Sequence, residues 1–452
     1  MRIARRVLFA LLSLVLLGAV TVAILLWRSL PPHELQAHIP ELSAPVTITL
    51  DADGIPRIKA TTDDDAAAAL GFVHARDRMF QMELMRRVAS GRLAEIAGAD
   101  ALRLDRANRA LGLRRRAETD LAGLDPATRA LLDAYARGVN AWIALRGRFA
   151  GLEFIALGAP EPWMPVDSLL WGKTMAQYLA GNWRAELLRA SLARRLAPEV
   201  QRVLWPNWAG TPAPDAALLR STRLARIVPE FPELFTLPSE ASNEWAVDGR
   251  RSLSGAPLLA GDPHLAFGLP GIWYLARIET PDRVLAGATS PGVPFLVLGH
   301  NGRIAWTFTT TGADTQDVFV ETPGPSGTYQ TPGGPTPFVT REERIHVRGG
   351  PDDVFTARET RHGPVLSDID PGGGDEILAV AMASLNPGDT SASGLAELNR
   401  AQDVEAAGRA AARIMAPVQN LLVADRERIA QFTTGLIPIR RKGDGTVPVP
   451  GA

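Results

Sequence analysis

SNEWAVDGRRSLSGAPLLAGDPHLAFGLPGIWYLARIE, residues 242–279, is the segment around which the rest of the chain is organised. It opens on Ser242 and Asn243, straight after a proline-rich segment of weak periodicity, and runs into VLGHNGRIAWTFTTTGADTQDVFVE at 297–321. The latter stretch alternates short β-rich runs with Gly and Asn turns, the pattern of packed strands joined by tight connections. Working back toward the N-terminus, VTITLDADGIPRIKA (46–60) predicts a hairpin with DADG as its turn. Helical spacing follows over 63–98, closing on Gly98, with Phe72, Met79, Met82, Leu84 and Met85 among its apolar positions. His74, Asp77 and Glu83 on that helix read as satisfied polar groups. Residues 101–150 stay helical and arginine-rich, and 206–241 reads as an extended, loosely packed segment. Beyond Thr322, strand-like runs alternate with Gly/Pro turns, interrupted by one helix around ASGLAELNRAQDVEAAGRAAARIM (392–415).

Five words along the chain resemble, in order, the penicillin acylase family of N-terminal-nucleophile hydrolases. They are the helix at 63–98, EPWMPVD (161–167), the Ser242 stretch, the GHNG stretch and APVQNLLVADRERIAQFTTGLIPIRR (416–441). The resemblance runs from Val46 to Gly451. It implies an α+β fold, an αββα sandwich with a helix-rich small-chain region. The implied organisation is a signal or anchor at 1–30, a small-chain region at 31–205, a spacer peptide at 206–241 and a large-chain catalytic region at 242–452. Members usually continue for a few hundred residues past the PVPG word, so the sandwich is expected to be incomplete at the C-terminus, and the isolated chain to mature poorly.

The resemblance implies a self-processing acylase that hydrolyses the linear amide between an acyl group and an amine, in a penicillin-type side chain or an N-acyl-homoserine lactone. The alternative is a non-catalytic exported fragment that retains the motifs but cannot mature. Ser242 becomes the nucleophile once the Ala241–Ser242 bond is cut, because a free α-amine, with a pKa of roughly 7.7 to 8.0, can take the proton from the hydroxyl near neutral pH. Oxyanion donors correspond to the Asn420 amide and a backbone N–H at Thr310, or Thr311 if the alignment slips by one. His264 matches a histidine that supports the amine, and Arg440 an arginine near the site. Acyl-pocket positions are Met175 and Leu179, which at i,i+4 share a helix face, together with Leu265 and Leu298. These side chains predict a preference for an aliphatic acyl chain. Glu186, Asp314 and Asp317 match the ligands of a structural calcium ion that would tie small and large chains together after cleavage. No organic cofactor is implied. A conventional triad of Ser242, His264 and Asp262 is disfavoured: two strand residues two apart share a face without the imidazole pointing back at its neighbour, and there is no GxSxG word.

Composition bounds the rest. The 452 residues carry a formal net charge of −1, so no basic field for nucleic acid exists, and the absence of cysteine excludes disulfides and thiolate chemistry. Arginines at 2, 5 and 6 precede an uncharged apolar run from Val7 to Trp27. About twenty such residues suffice to span a bilayer. The apolar residues continue past the AVTVA cleavage candidate, which favours an uncleaved anchor and a periplasmic or periplasm-facing location.

Overall fold

The computed structural model describes residues 2–180, 182–193, 195–204, 242–265, 268–369, 376–440 and 444–451. The expected spacer and Ala241 lie outside the described residues. In chain order the first part holds α1 (Arg2–Ser29), the hairpin β1 (Thr47–Leu50) and β2 (Pro56–Lys59), and then helices: α2 (Asp63–Ser90), α3 (Ala94–Ala97), α4 (Leu102–Leu111), α5 (Leu113–Gly123), α6 (Pro126–Arg146), α7 (Phe154–Leu157), α8 (Pro165–Leu179), α9 (Asn182–Ala193) and α10 (Pro198–Leu204). The second part holds β3 (Ser242–Val247), β4 (Leu258–Pro263), β5 (Tyr274–Thr280), β6 (Arg283–Thr289), β7 (Leu298–His300), β8 (Ala305–Thr310) and β9 (Gln316–Glu321). After these come β10 (Thr328–Thr331), β11 (Gly334–Pro337), β12 (Val339–Ile345), β13 (Asp353–Thr360), β14 (Gly363–Pro364), β15 (Ile377–Met382), α11 (Ser391–Leu398), α12 (Val404–Ala411), β16 (Gln419–Ala424), β17 (Ile429–Thr434) and β18 (Val449–Pro450).

The main sheet has eight strands in the order β1-β2-β5-β6-β7-β8-β16-β17. Its β2–β5 pairing is parallel, so the predicted N-terminal hairpin joins the sheet of the strands that follow Ser242. One face packs on helices α2, α6, α11 and α12 through Ile58, Ile278, Trp306, Phe308, Leu421 and Val423. The other face carries the β3–β4 hairpin over β8 and β16. Helix, main sheet and the β3–β4 hairpin are thus stacked in that order, with β10-β11, β12-β13-β14 and β15-β9-β18 forming three smaller sheets, and Trp245 faces outward from the hairpin, 53% exposed.

The helix pair at the centre of the core is built from small residues. The run Ala66–Ala69 lies against α6, and Gly71 and Gly138 mark the closest approach. A Cβ on Gly138 would overlap the Ala68 carbonyl oxygen, and one on Gly71 the Tyr135 carbonyl oxygen. Backbone meets backbone there, so α2 is clamped in register.

Two boundaries differ from expectation. The long helix stops at Gly91, which takes φ 63 and returns its N–H to Val88, and 94–97 form a separate short turn before Gly98. Glycine adopts this left-handed geometry without a Cβ clash. The helix predicted over 392–415 is two, because the Asn399 side chain is drawn to the Leu296 backbone and Asp403 caps a new start by accepting from Ala406 N at 2.7 Å. Asp77 and Glu83 are paired as expected, with Tyr274 and Arg76 and with Arg86 and Arg87, whereas His74 is satisfied only at Nδ1, by Tyr135, its buried Nε2 having no partner.

Candidate active site

Ser242 starts β3, opposite Pro263 at the open end of the hairpin. The alternation of β3 turns Ser242, Glu244 and Ala246 toward the main sheet and Asn243 and Trp245 away from it. The hairpin can lie close because Gly261 sits over Thr307, where a Cβ would overlap the hydroxyl. That seating carries the open end to the ends of β8 and β16. A pocket of about 120 Å³ opens there, lined by Ser242, Pro263, Thr310 and Gln419 from the strands and by Met175 and Leu179 from α8. Leu265 and Leu298 line it too, so all four expected pocket residues, the expected nucleophile and Thr310 meet in one cavity. Trp171, Trp273, Phe295 and Phe308 add aromatic walls that the leucines alone did not foretell.

Other expected residues stand elsewhere. Asn420 lies opposite Thr309 on the hairpin side of the sheet, its amide donating to Thr309 Oγ1 and accepting from Thr433 Oγ1, both at 3.4 Å. Its neighbour Gln419 lines the pocket instead, since adjacent strand residues face opposite ways. His264 follows the end of β4, so its ring is free of strand alternation and turns back: Nε2 lies 2.7 Å from Asp262 Oδ2. The contact that strand alternation disfavoured is therefore made. The triad is nevertheless not formed, for both side chains are about half exposed and neither is hydrogen-bonded to Ser242 among the described residues.

Arg440 is not in the pocket either. Its Nε donates to Asp317 Oδ1 at 2.8 Å, and its Nη2 donates to Asp314 Oδ1 at 2.6 Å and to the Asp314 carbonyl at 3.0 Å. Glu186 lies beside them, fully buried, accepting from Val318 N at 3.0 Å through Oε2, with Oε1 unpartnered. Burial first, then the charges of Asp317 and Asp314, push the Glu186 carboxyl up to about 9. Burial likewise raises Asp314 to about 6. Hard oxygen donors are right in kind for calcium, but a guanidinium already stands on them. Among the described residues no group of three or more acidic, histidine or cysteine side chains has metal-holding geometry, and the set as arranged does not fit the ion.

One feature of the pocket escaped the sequence reading. Lys173, buried on α8, sets its Nζ 2.7 Å from Asp120 Oδ2, 2.9 Å from Asp389 Oδ2 and 3.0 Å from the Ser384 carbonyl, and all three charged residues border the cavity. A lone lysine inside LLWGKTMAQYL was the available signal; its partners, far off in sequence, left none.

The Penicillin amidase family model matches residues 45–452. The chain belongs to the penicillin amidase family. It is 34% identical over 427 residues to an acyl-homoserine lactone acylase of Pseudomonas syringae pv. tomato, covering 91% of this chain and 52% of that protein. It is also 34% identical over 443 residues to a penicillin acylase 2 proenzyme of Pseudomonas sp., covering 94% and 57% respectively. A thermostable penicillin G acylase structure from Alcaligenes faecalis matches at 23% identity with a TM-score of 0.40, over 46% of this chain and 39% of that one. The chain spans about half the length of the curated relatives it matches. Within the penicillin amidase family, a serine at the edge of an apolar cavity, with no imidazole bound to it, needs another base. An α-amine freed at Ser242 would supply one within the same residue.

Proposed function

We propose that this chain is the self-processing part of an acylase that cleaves linear amides carrying an apolar acyl group, with Ser242 as the nucleophile. The convergence of Ser242, Thr310, Met175, Leu179, Leu265 and Leu298 on one cavity carries the reading. The acyl group occupies this cavity while the amine faces the hairpin's open end. Both names among the relatives, acyl-homoserine lactone acylase and penicillin acylase proenzyme, fit that chemistry. Leu179, Leu265 and Leu298 favour an aliphatic acyl chain, against the aromatic side chains of Trp171, Trp273, Phe295 and Phe308 in the same lining. α1 is long and apolar enough to cross a membrane and none of it is buried, which supports export with the body on the periplasmic side. A second reading, a non-catalytic binding protein, is favoured by one observation: the Asn420 amide is engaged by Thr309 and Thr433 and is not among the residues that line the cavity. Mass spectrometry of the purified protein, together with hydrolysis of a chromogenic fatty-acyl amide, separates the two. The acylase reading expects a fragment beginning at Ser242 and turnover, both lost in Ser242→Ala. An intact, inert chain supports the binding protein.

A further inference from the structure

Two of the three carboxylates that the family resemblance assigns to a metal, Asp314 and Asp317, are already engaged by a cation belonging to the chain, while Glu186 beside them keeps Oε1 without a partner. Arg440 presents Nε to both oxygens of Asp317, at 2.8 and 3.1 Å, and Nη2 to Asp314 Oδ1 and its carbonyl. Asn182 Nδ2 donates to Asp314 Oδ1 and the Gln316 carbonyl, both at 2.5 Å. A calcium ion needs bare oxygens at roughly 2.3–2.6 Å. Here N–H groups point at those oxygens, and an ion sharing them would lie against a guanidinium of the same sign. The guanidinium is also seated from behind. Gly445 has φ +81, and an added Cβ there would lie 2.5 Å from Nη2 and 2.6 Å from Cζ of Arg440. Carboxylates in front and a bare backbone behind make a cradle shaped for an arginine side chain.

We propose that Arg440 is the resident cation of the Glu186–Asp314–Asp317 cluster, so that this chain closes the joint without a metal ion. The joint has a mechanical place in the molecule. Asn182, Trp183 and Glu186 on α9 precede Ser242 in the chain, and they bind Asp314, Gln316 and Val318 that follow it. Arg440 adds a third segment. An arginine fork on carboxylates resists exchange in a way that a labile ion does not. The two sides therefore stay associated whether or not calcium is present, and this holds independently of whether the chain cleaves itself.

The test uses the full chain and reads metal content and melting temperature, so it does not depend on acylase activity. The wild-type protein is expected to purify with substoichiometric calcium and to melt at the same temperature in EDTA and in millimolar calcium. Arg440→Met uncovers the oxygens; it should melt lower by about 3 °C in EDTA, and millimolar calcium should recover part of that loss. Arg440→Lys keeps the charge and should remain indifferent to chelation, which preserves the comparison if the methionine variant does not fold. Stoichiometric calcium in the wild type, or a melting temperature that drops on chelation, overturns the proposal. So does an Arg440→Met protein that melts like wild type or ignores calcium.

Discussion

Acidification should weaken this fold through a single buried imidazole. His74 lies wholly inside the α2–α6 core, where its Nδ1 is 2.7 Å from Tyr135 Oη, while Gly292 N donates to that same oxygen at 2.9 Å. With the Gly292 N–H on one side of the phenol oxygen, Tyr135 can donate its proton to an unprotonated His74 Nδ1, the neutral imidazole then carrying its own proton on Nε2, which has no hydrogen-bond partner. A proton on Nδ1 would leave the tyrosine O–H without an acceptor and place a charge in an apolar core. Burial, and secondarily Arg78, hold His74 down to about 3. The sign follows from linkage: the unfolded chain takes up this proton near its ordinary pKa of about 6.5 and the folded chain does not, so stability falls as the pH drops below that value. At pH 5 the loss is about 1.5 units at 1.36 kcal/mol each, or about 2 kcal/mol. That figure depends on the unfolded value alone, provided the folded value lies well below 5. For a chain of 452 residues it corresponds to about 2 °C in melting temperature. The raised carboxyls of Asp105 and Asp314 work in the opposite direction, so the measurement must be differential. His74→Asn keeps an acceptor for Tyr135 but does not titrate. Melting temperatures of both proteins, measured from pH 7 to pH 5, should converge by about 2 °C as the wild type loses its advantage. Parallel profiles would refute the reasoning. Functional consequences follow because Gly292 leads into Val293 and Phe295, which line the cavity.

The remaining expectations are more local. Gly138→Ala forces a methyl into the Ala68 carbonyl at the α2–α6 contact and should destabilise the fold by about 3 kcal/mol or more, read as a fall in denaturant midpoint. Lys173→Met strands Asp120 and Asp389 and should cost about 3–5 kcal/mol, whereas pairing it with Asp120→Asn should restore part of that; strict additivity in the cycle would show that the pair is not coupled. Amides of one chromogenic amine should show higher kcat/KM for a medium-chain fatty acyl group than for phenylacetyl, and Leu179→Ala should shift that ratio by about 1–3 kcal/mol of discrimination; a clear phenylacetyl preference contradicts the aliphatic reading.

Much of the fold was written locally. The N-terminal hairpin, the long alanine-rich helix and the strand beginning at Ser242 each follow from the periodicity of neighbouring residues, and the i,i+4 spacing of Met175 and Leu179 already put them on one face. Family words then named Ser242, Leu265, Leu298 and Thr310, and folding brought all of them to one cavity. What tertiary structure alone decided was the pairing of groups distant in sequence. Arg440 looked like a site residue in sequence and proved to be the cation on Asp314 and Asp317, while Lys173 looked like an interruption of an apolar helix and proved to bridge Asp120 and Asp389. His264 turned toward Asp262 because the strand ended one residue earlier than its alternation would have required. Hydrophobic patterning is a property of adjacent residues and survives in the one-dimensional string. The partner of a buried charge is set by which segments pack against it, and that is known only when the chain has folded.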